Sequence, residues 1–140
     1  MLNLVVETGR IASDLVLQST GSGVPFVRFR LAVDRDYAVN EDRPTDFLSF
    51  IAWRKTAEFI CKHFSKGAMV SIQGSLEENK WTDEKGGKHY GMVVTVGQVW
   101  FGETKKARED RQNRAYGDYQ GEAYAYTDED VPPEFLRGGN

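Results

Sequence analysis

Residues 45–67, TDFLSFIAWRKTAEFICKHFSKG, change periodicity halfway along, and that change decides the fold. Over Thr45–Trp53 the alternation is that of a strand: Leu48, Phe50 and Ala52 fall on one side, Phe47, Ser49, Ile51 and Trp53 on the other. From about Lys55 to Ser65 the apolar residues Ala57, Ile60, Cys61 and Phe64 recur at helical spacing, and Gly67 is placed to end the helix.

Strands flank this unit on both sides. Upstream, Pro25–Asp36 alternates, with Val27, Phe29, Leu31 and Val33 on one face and Arg28 and Arg30 on the other. Leu2–Ile11 is strand-like and reads as broken by Gly9, and a polar loop spans about Ala38–Pro44. Downstream, two long strands, about Ala68–Lys80 and Lys88–Phe101, flank WTDEKGGK (81–88), whose Gly86-Gly87 pair suits a hairpin turn. The predicted class is therefore all-β with one helix: three strands, a helix, two strands. That is the order of an OB-fold, a five-stranded Greek-key barrel that binds oligonucleotides and oligosaccharides. Other small barrels share it, so pattern alone leaves them open.

The barrel is expected over residues 1–104. From Lys105 the pattern dissolves into KKAREDRQNR, then AYGDYQGEAYAY, then TDEDVPPEFLRGGN. There is too little apolar material there to offset the entropy of ordering, so residues 105–140 are predicted to be a disordered, flexible acidic tail.

The net charge of −3 argues superficially against a nucleic-acid partner. Residues 1–104 carry 12 Lys/Arg against 13 Asp/Glu, while residues 115–136 hold six acids and no base, so any anion site must be a local patch. No run of about 18 apolar residues suggests a membrane span. The first residues lack the basic and apolar regions of a secretory signal, and the single Cys61 cannot form an internal disulfide; together these suggest a cytoplasmic protein.

Large aromatics on both faces of one strand need a second burial partner or an exposed role. Phe47 and Trp53 share a parity and stand about 20 Å apart along a regular strand. Aromatics spaced along a surface stack on nucleobases without reading sequence, each contributing about 1–3 kcal/mol. Packing against a helix or a neighbouring subunit is the competing account, and parity alone does not separate the two. Trp81 favours stacking, because it opens a polar hairpin where a core tryptophan is unusual. Tyr37, ending the second strand, is a fourth candidate. Arg28, Arg30, Arg35, Arg54, Lys55, Lys62, Lys66, Lys80, Lys85 and Lys88 are candidate phosphate contacts. Arg54 and Lys55 beside Trp53, and Lys80 beside Trp81, stand out among them.

Catalytic chemistry finds no footing. His63 and His89 sit in no metal or nucleophile arrangement, and no phosphate-cradling loop with a following Lys-Ser/Thr occurs. No catalytic residue, metal or cofactor is expected.

Four segments in order, GRIASD (9–14), FVRFRLAVDRDY (26–37), TDFLSFIAWRKTAEFICKHFSKGAMVSIQGSL (45–76) and KWTDEKGGKHYGMVVTVGQVWF (80–101), resemble the bacterial single-stranded DNA-binding protein family over about residues 2–104. The resemblance implies base-stacking positions at Tyr37, Phe47, Trp53 and Trp81, and basic positions along the DNA at Lys55, Lys66 and Lys80. It also implies a homotetramer that binds single-stranded DNA without sequence preference in replication, recombination and repair. An alternative is an OB-fold accessory subunit that binds mainly proteins. The chain departs from the family pattern at LEENKW (76–81), where Glu77 and Glu78 stand in place of bases, and at Asp14-Leu15, where Asp-Pro is usual. The family's acidic tail ends in Pro-Phe and docks on replication and repair proteins. Here Asp128, Glu129, Asp130 and Phe135 offer that hook, but LRGGN follows Phe135.

Overall fold

The alternating stretches become strands that curl round and meet. In the computed structural model, which describes residues 1–37 and 40–117, the strands are β1 (Val5–Ile11), β2 (Gln18–Ser19), β3 (Pro25–Asp34), β4 (Thr45–Trp53), β5 (Met69–Thr82) and β6 (Lys88–Phe101). Helix α1 (Arg54–His63) follows β4, and α2 (Lys105–Gly117) follows β6. The sheet order is β1-β5-β6-β4-β3-β2, and β1 also pairs with β3, which closes the five long strands into the expected OB-type barrel. All pairings are antiparallel except β4 with β6, which meet in parallel at Phe50–Val94 and Ile51–Thr95.

The closure explains Gly9. It does not break β1, as its sequence suggests; the strand runs through it. A Cβ at Gly9 would stand 2.4 Å from the Ala32 carbonyl oxygen, so the bare backbone is what lets β1 cross onto β3. The seam is then stitched by the pairs Arg10–Ala32 and Ile11–Leu31 and by the Ala12 amide donating to the Arg30 carbonyl at 2.8 Å.

Inward parity supplies the core: Val27, Phe29 and Leu31 from β3, Phe50 and Ala52 from β4, Val70 and Ile72 from β5, Val94 and Val96 from β6. Phe29 and Phe50 lie opposite each other with stacked rings 5.5 Å apart. Ala57, Ile60 and Phe64 join this core from α1 and its C-terminal end. The helix is shorter than its spacing predicts, stopping at His63, because Phe64 turns extended (φ −123°, ψ 161°) while its amide still donates to Ile60. Cys61 is half-buried on the same face, and that burial raises its thiol pKa.

Helix α2 corrects the expectation of disorder from Lys105. The Thr104 hydroxyl accepts the Ala107 amide at 3.0 Å and caps the first turn. The Arg111 guanidinium donates to Glu103 at 2.9 Å, and Arg108 lies 5.2 Å over the Phe101 ring. Capping and two arginine anchors, not an apolar stripe, hold this helix. The tail positions Asp128, Glu129, Asp130 and Phe135 lie outside the described residues. Among the described residues no helix is long and apolar enough to cross a membrane.

Candidate nucleic-acid interface

Antiparallel register places directly opposed side chains on the same face. Across β3 and β4 the outward pairs are Phe26–Trp53, Arg28–Ile51, Arg30–Ser49 and Ala32–Phe47. The face therefore carries aromatic groups at both ends and two guanidiniums between them. Trp53 is 39% exposed, whereas Phe26 is 3% exposed, with ring centroids 5.2 Å apart and planes tilted by 39°. Arg28 lies 5.8 Å over the Phe26 ring. One side of the Trp53 indole is thus supported from beneath.

At the opposite end Arg30 is 8% exposed, and its guanidinium donates to the Phe47 carbonyl at 2.9 Å and lies 5.1 Å over the Phe47 ring. Arg30 is seated as a brace for Phe47, not as an open phosphate contact. Arg35 is similarly engaged. It grips Asp46 with two nitrogens at 2.9 and 3.0 Å and donates to the Tyr37 hydroxyl at 2.6 Å. These bonds hold the Asp46 carboxyl below its ordinary pKa, and they raise that of the Arg35 guanidinium further. Tyr37 remains exposed beyond this clamp.

The register continues across the sheet. Ile51 of β4 pairs with Thr95 of β6, and Thr95 with Ser75 of β5, so Ser75, Glu77, Asn79 and Trp81 share the face of Phe47 and Trp53. The β5–β6 hairpin carries that face beyond the barrel. There Trp81 lies opposite His89, their rings stacked at 5.5 Å and 17°. Lys80 and Lys88 project from the other face of the hairpin; Lys80 is 3.7 Å from Glu78 and lies 5.8 Å over the Tyr90 ring.

Arg54 and Lys55 are exposed at the start of α1, directly after Trp53. Arg54 has a φ of 57°, a left-handed conformation that turns the chain sharply from strand to helix. Lys66 lies in the turn between α1 and β5, and Lys62 and Lys85 are exposed on α1 and in the hairpin turn. The sheet thus brings together Phe47, Trp53 and Trp81 with Arg28 and Arg30; β3 stops at Asp34 rather than Asp36, so Tyr37 does not end the strand but flanks the face three residues beyond it, held by Arg35. Lys66 belongs to none of these contacts. Phe26 and His89 are the additions that sequence reasoning missed. Phe26 was readable from its parity with Arg28 and Arg30; His89 was not, because a two-residue turn at Gly86-Gly87 would set Met92 opposite Trp81, whereas the loop spans Asp83–Gly87 and pairs Thr82 with Lys88.

No group of three or more His, Cys, Asp or Glu among the described residues could hold a metal ion. Residues 2–101 match the model of the single-strand binding protein family. The chain is 39% identical to a single-stranded DNA-binding protein of Caldanaerobacter subterraneus subsp. tengcongensis, over 75% of this chain and 71% of that one. It is 36% identical to one from Fusobacterium nucleatum, over 83% and 77% of the two chains. A third, from Staphylococcus aureus, is 32% identical over 81% and 73%. With the barrel matched nearly end to end and relatives aligned over most of both chains, the chain belongs to the single-strand binding protein family.

Proposed function

We propose that this protein binds single-stranded DNA with little sequence preference and protects it in replication, recombination and repair, as a binding protein and not an enzyme. The observation that carries this reading is the common face of Phe47, Trp53 and Trp81 on one continuous sheet. Bases stack on these rings and on Tyr37. Arg28, Arg54, Lys55, Lys66, Lys80 and Lys88 neutralise phosphates, and Arg30 and Arg35 act mainly by holding Phe47 and Tyr37. The decisive experiment is a titration with dT oligomers followed by tryptophan emission. Quenching is expected, with log affinity falling against log salt by about 0.7 per phosphate neutralised. Absence of quenching at low salt overturns the proposal.

The working form is a homotetramer in the cytoplasm. Support comes from β1, whose Val5–Gly9 stretch pairs with β5 but not with β3, leaving an open strand edge. Beside that edge the outer sheet face exposes Val6 and, two strands away, Trp100. Mass measurement in solution should give four times the 15.8 kDa of one chain. The barrel of residues 1–104 is the DNA-binding domain, and residues 105–140 form the appendage through which Asp128–Phe135 meets replication and repair proteins. Deleting residues 118–140 should leave dT binding intact while abolishing capture of those proteins.

A further inference from the structure

The turn of the β5–β6 hairpin is organised around one carboxylate. Asp83 Oδ1 accepts the backbone amides of Lys85 at 2.9 Å and Gly87 at 2.7 Å, which fixes the turn. Its other oxygen, Oδ2, stands 2.6 Å from His89 Nε2. His89 in turn lies flat against Trp81, 5.5 Å between centroids and 17° between planes. Gly91, the next outward residue of β6, completes the seat: a Cβ there would come within 3.1 Å of Trp81 Cζ3. The indole is therefore laid along β6, over the imidazole and a bare stretch of backbone. Trp81 is half-buried although the turn around it is exposed.

We propose that His89, clamped by Asp83, is a positioning residue for Trp81: it holds the indole flat so that an incoming base adds a third layer to an existing stack. The inference rests on the reading of Trp81 as a base-stacking residue. An unsupported tryptophan on a two-stranded ribbon would lose rotamer freedom on binding, whereas this one is ordered beforehand. The contact with Asp83 fixes the plane of the imidazole, and the ring stack carries that fixed plane to the indole. The charged groups around His89 are Asp83, Glu84 and Lys85 in the turn, Lys88 beside it in β6, and Lys80 and Glu78 on the opposite face of the paired strand. Asp83 is in direct contact with it, at 2.6 Å.

The test uses the full chain with W53F and W100F, which leaves Trp81 as the sole tryptophan and keeps an aromatic ring at position 53. Without DNA, H89A should change the intensity of the Trp81 emission, because the indole loses the ring stacked against it. With dT oligomers at pH 6, H89A should weaken binding about two- to tenfold, the worth of one aromatic contact. H89F, which keeps an aromatic ring against the indole, should restore affinity. If H89A changes neither the emission profile nor the affinity while W81A weakens binding, the positioning role is overturned and the stacking role of Trp81 stands. If W81A leaves affinity unchanged, both are overturned.

Discussion

Phe26 and Trp53 face each other across β3 and β4, one ring 3% exposed and the other 39%, with centroids 5.2 Å apart. The buried ring belongs to the barrel wall and the half-exposed ring to the proposed binding face. Trp53→Ala should therefore cost about 1–3 kcal/mol in dT binding with little loss of fold, and Trp53→Phe should retain most of the affinity. Phe26→Ala should do both kinds of damage: about 3–5 kcal/mol of stability, and weaker binding once Trp53 loses its support. Urea denaturation and fluorescence titration on the same samples separate the two effects.

Gly9 should tolerate no side chain. The 2.4 Å approach of a Cβ to the Ala32 oxygen can be relieved only by parting β1 from β3. Gly9→Ala is expected to destabilise by about 1–3 kcal/mol or more, the range for overpacking. Thermal unfolding checks this against Gly21→Ala, where nothing lies within 4 Å of the added carbon.

Helix α2 should be detachable from an intact barrel. Glu103, 11% exposed at its side chain, receives Arg111 at 2.9 Å and stands 4.0 Å from Arg10. Glu103→Gln keeps an acceptor but removes the charge, so α2 should fray at a cost of about 1 kcal/mol. Amide hydrogen exchange should report lost protection across residues 105–114 and unchanged protection in β5 and β6.

Acid should loosen Tyr37 before it unfolds the barrel. The Asp46 carboxyl is held below its ordinary pKa by the Arg35 hydrogen bond. Its contribution is therefore fully present above the ordinary carboxylate value and is lost as pH falls through the lowered one. An NMR titration should show the Tyr37 ring shifting together with the Asp46 carboxyl, and Asp46→Asn should remove that step.

The strands and α1 were legible because their signals are local. Thr45–Trp53 and the helix after it announce themselves by a change of period, and the bounds of β4 and β6 fall where the pattern puts them. Gly9 was misread because its reason, the Ala32 oxygen, lies in another strand. Helix α2 was missed because its anchors, Glu103 and Phe101, precede it in the chain and act through arginines, which no apolar periodicity reveals. The same division runs through the candidate site. That Phe47 and Trp53 share one face follows from parity alone; parity does not say what that face meets. That Arg30 and Arg35 are braces follows only from cross-strand register, which sets Arg30 beside the Phe47 carbonyl and Arg35 beside Asp46.

The pairing of β1 bears on how the chain reaches this state. Thr8 and Ser71, joined through their hydroxyls at 2.8 Å, are 63 residues apart in sequence, whereas β3 with β4 and β5 with β6 are neighbouring strands. Contacts between distant residues form slowly, because the loop between them must close before they gain anything. On the ribosome, β1 is made first but must wait for β5 to emerge before most of its backbone amides find partners. Its open edge should therefore be most vulnerable to wrong pairings during synthesis, and pulsed hydrogen exchange during refolding should find Glu7 and Gly9, whose amides face β5, protected after β5 and β6.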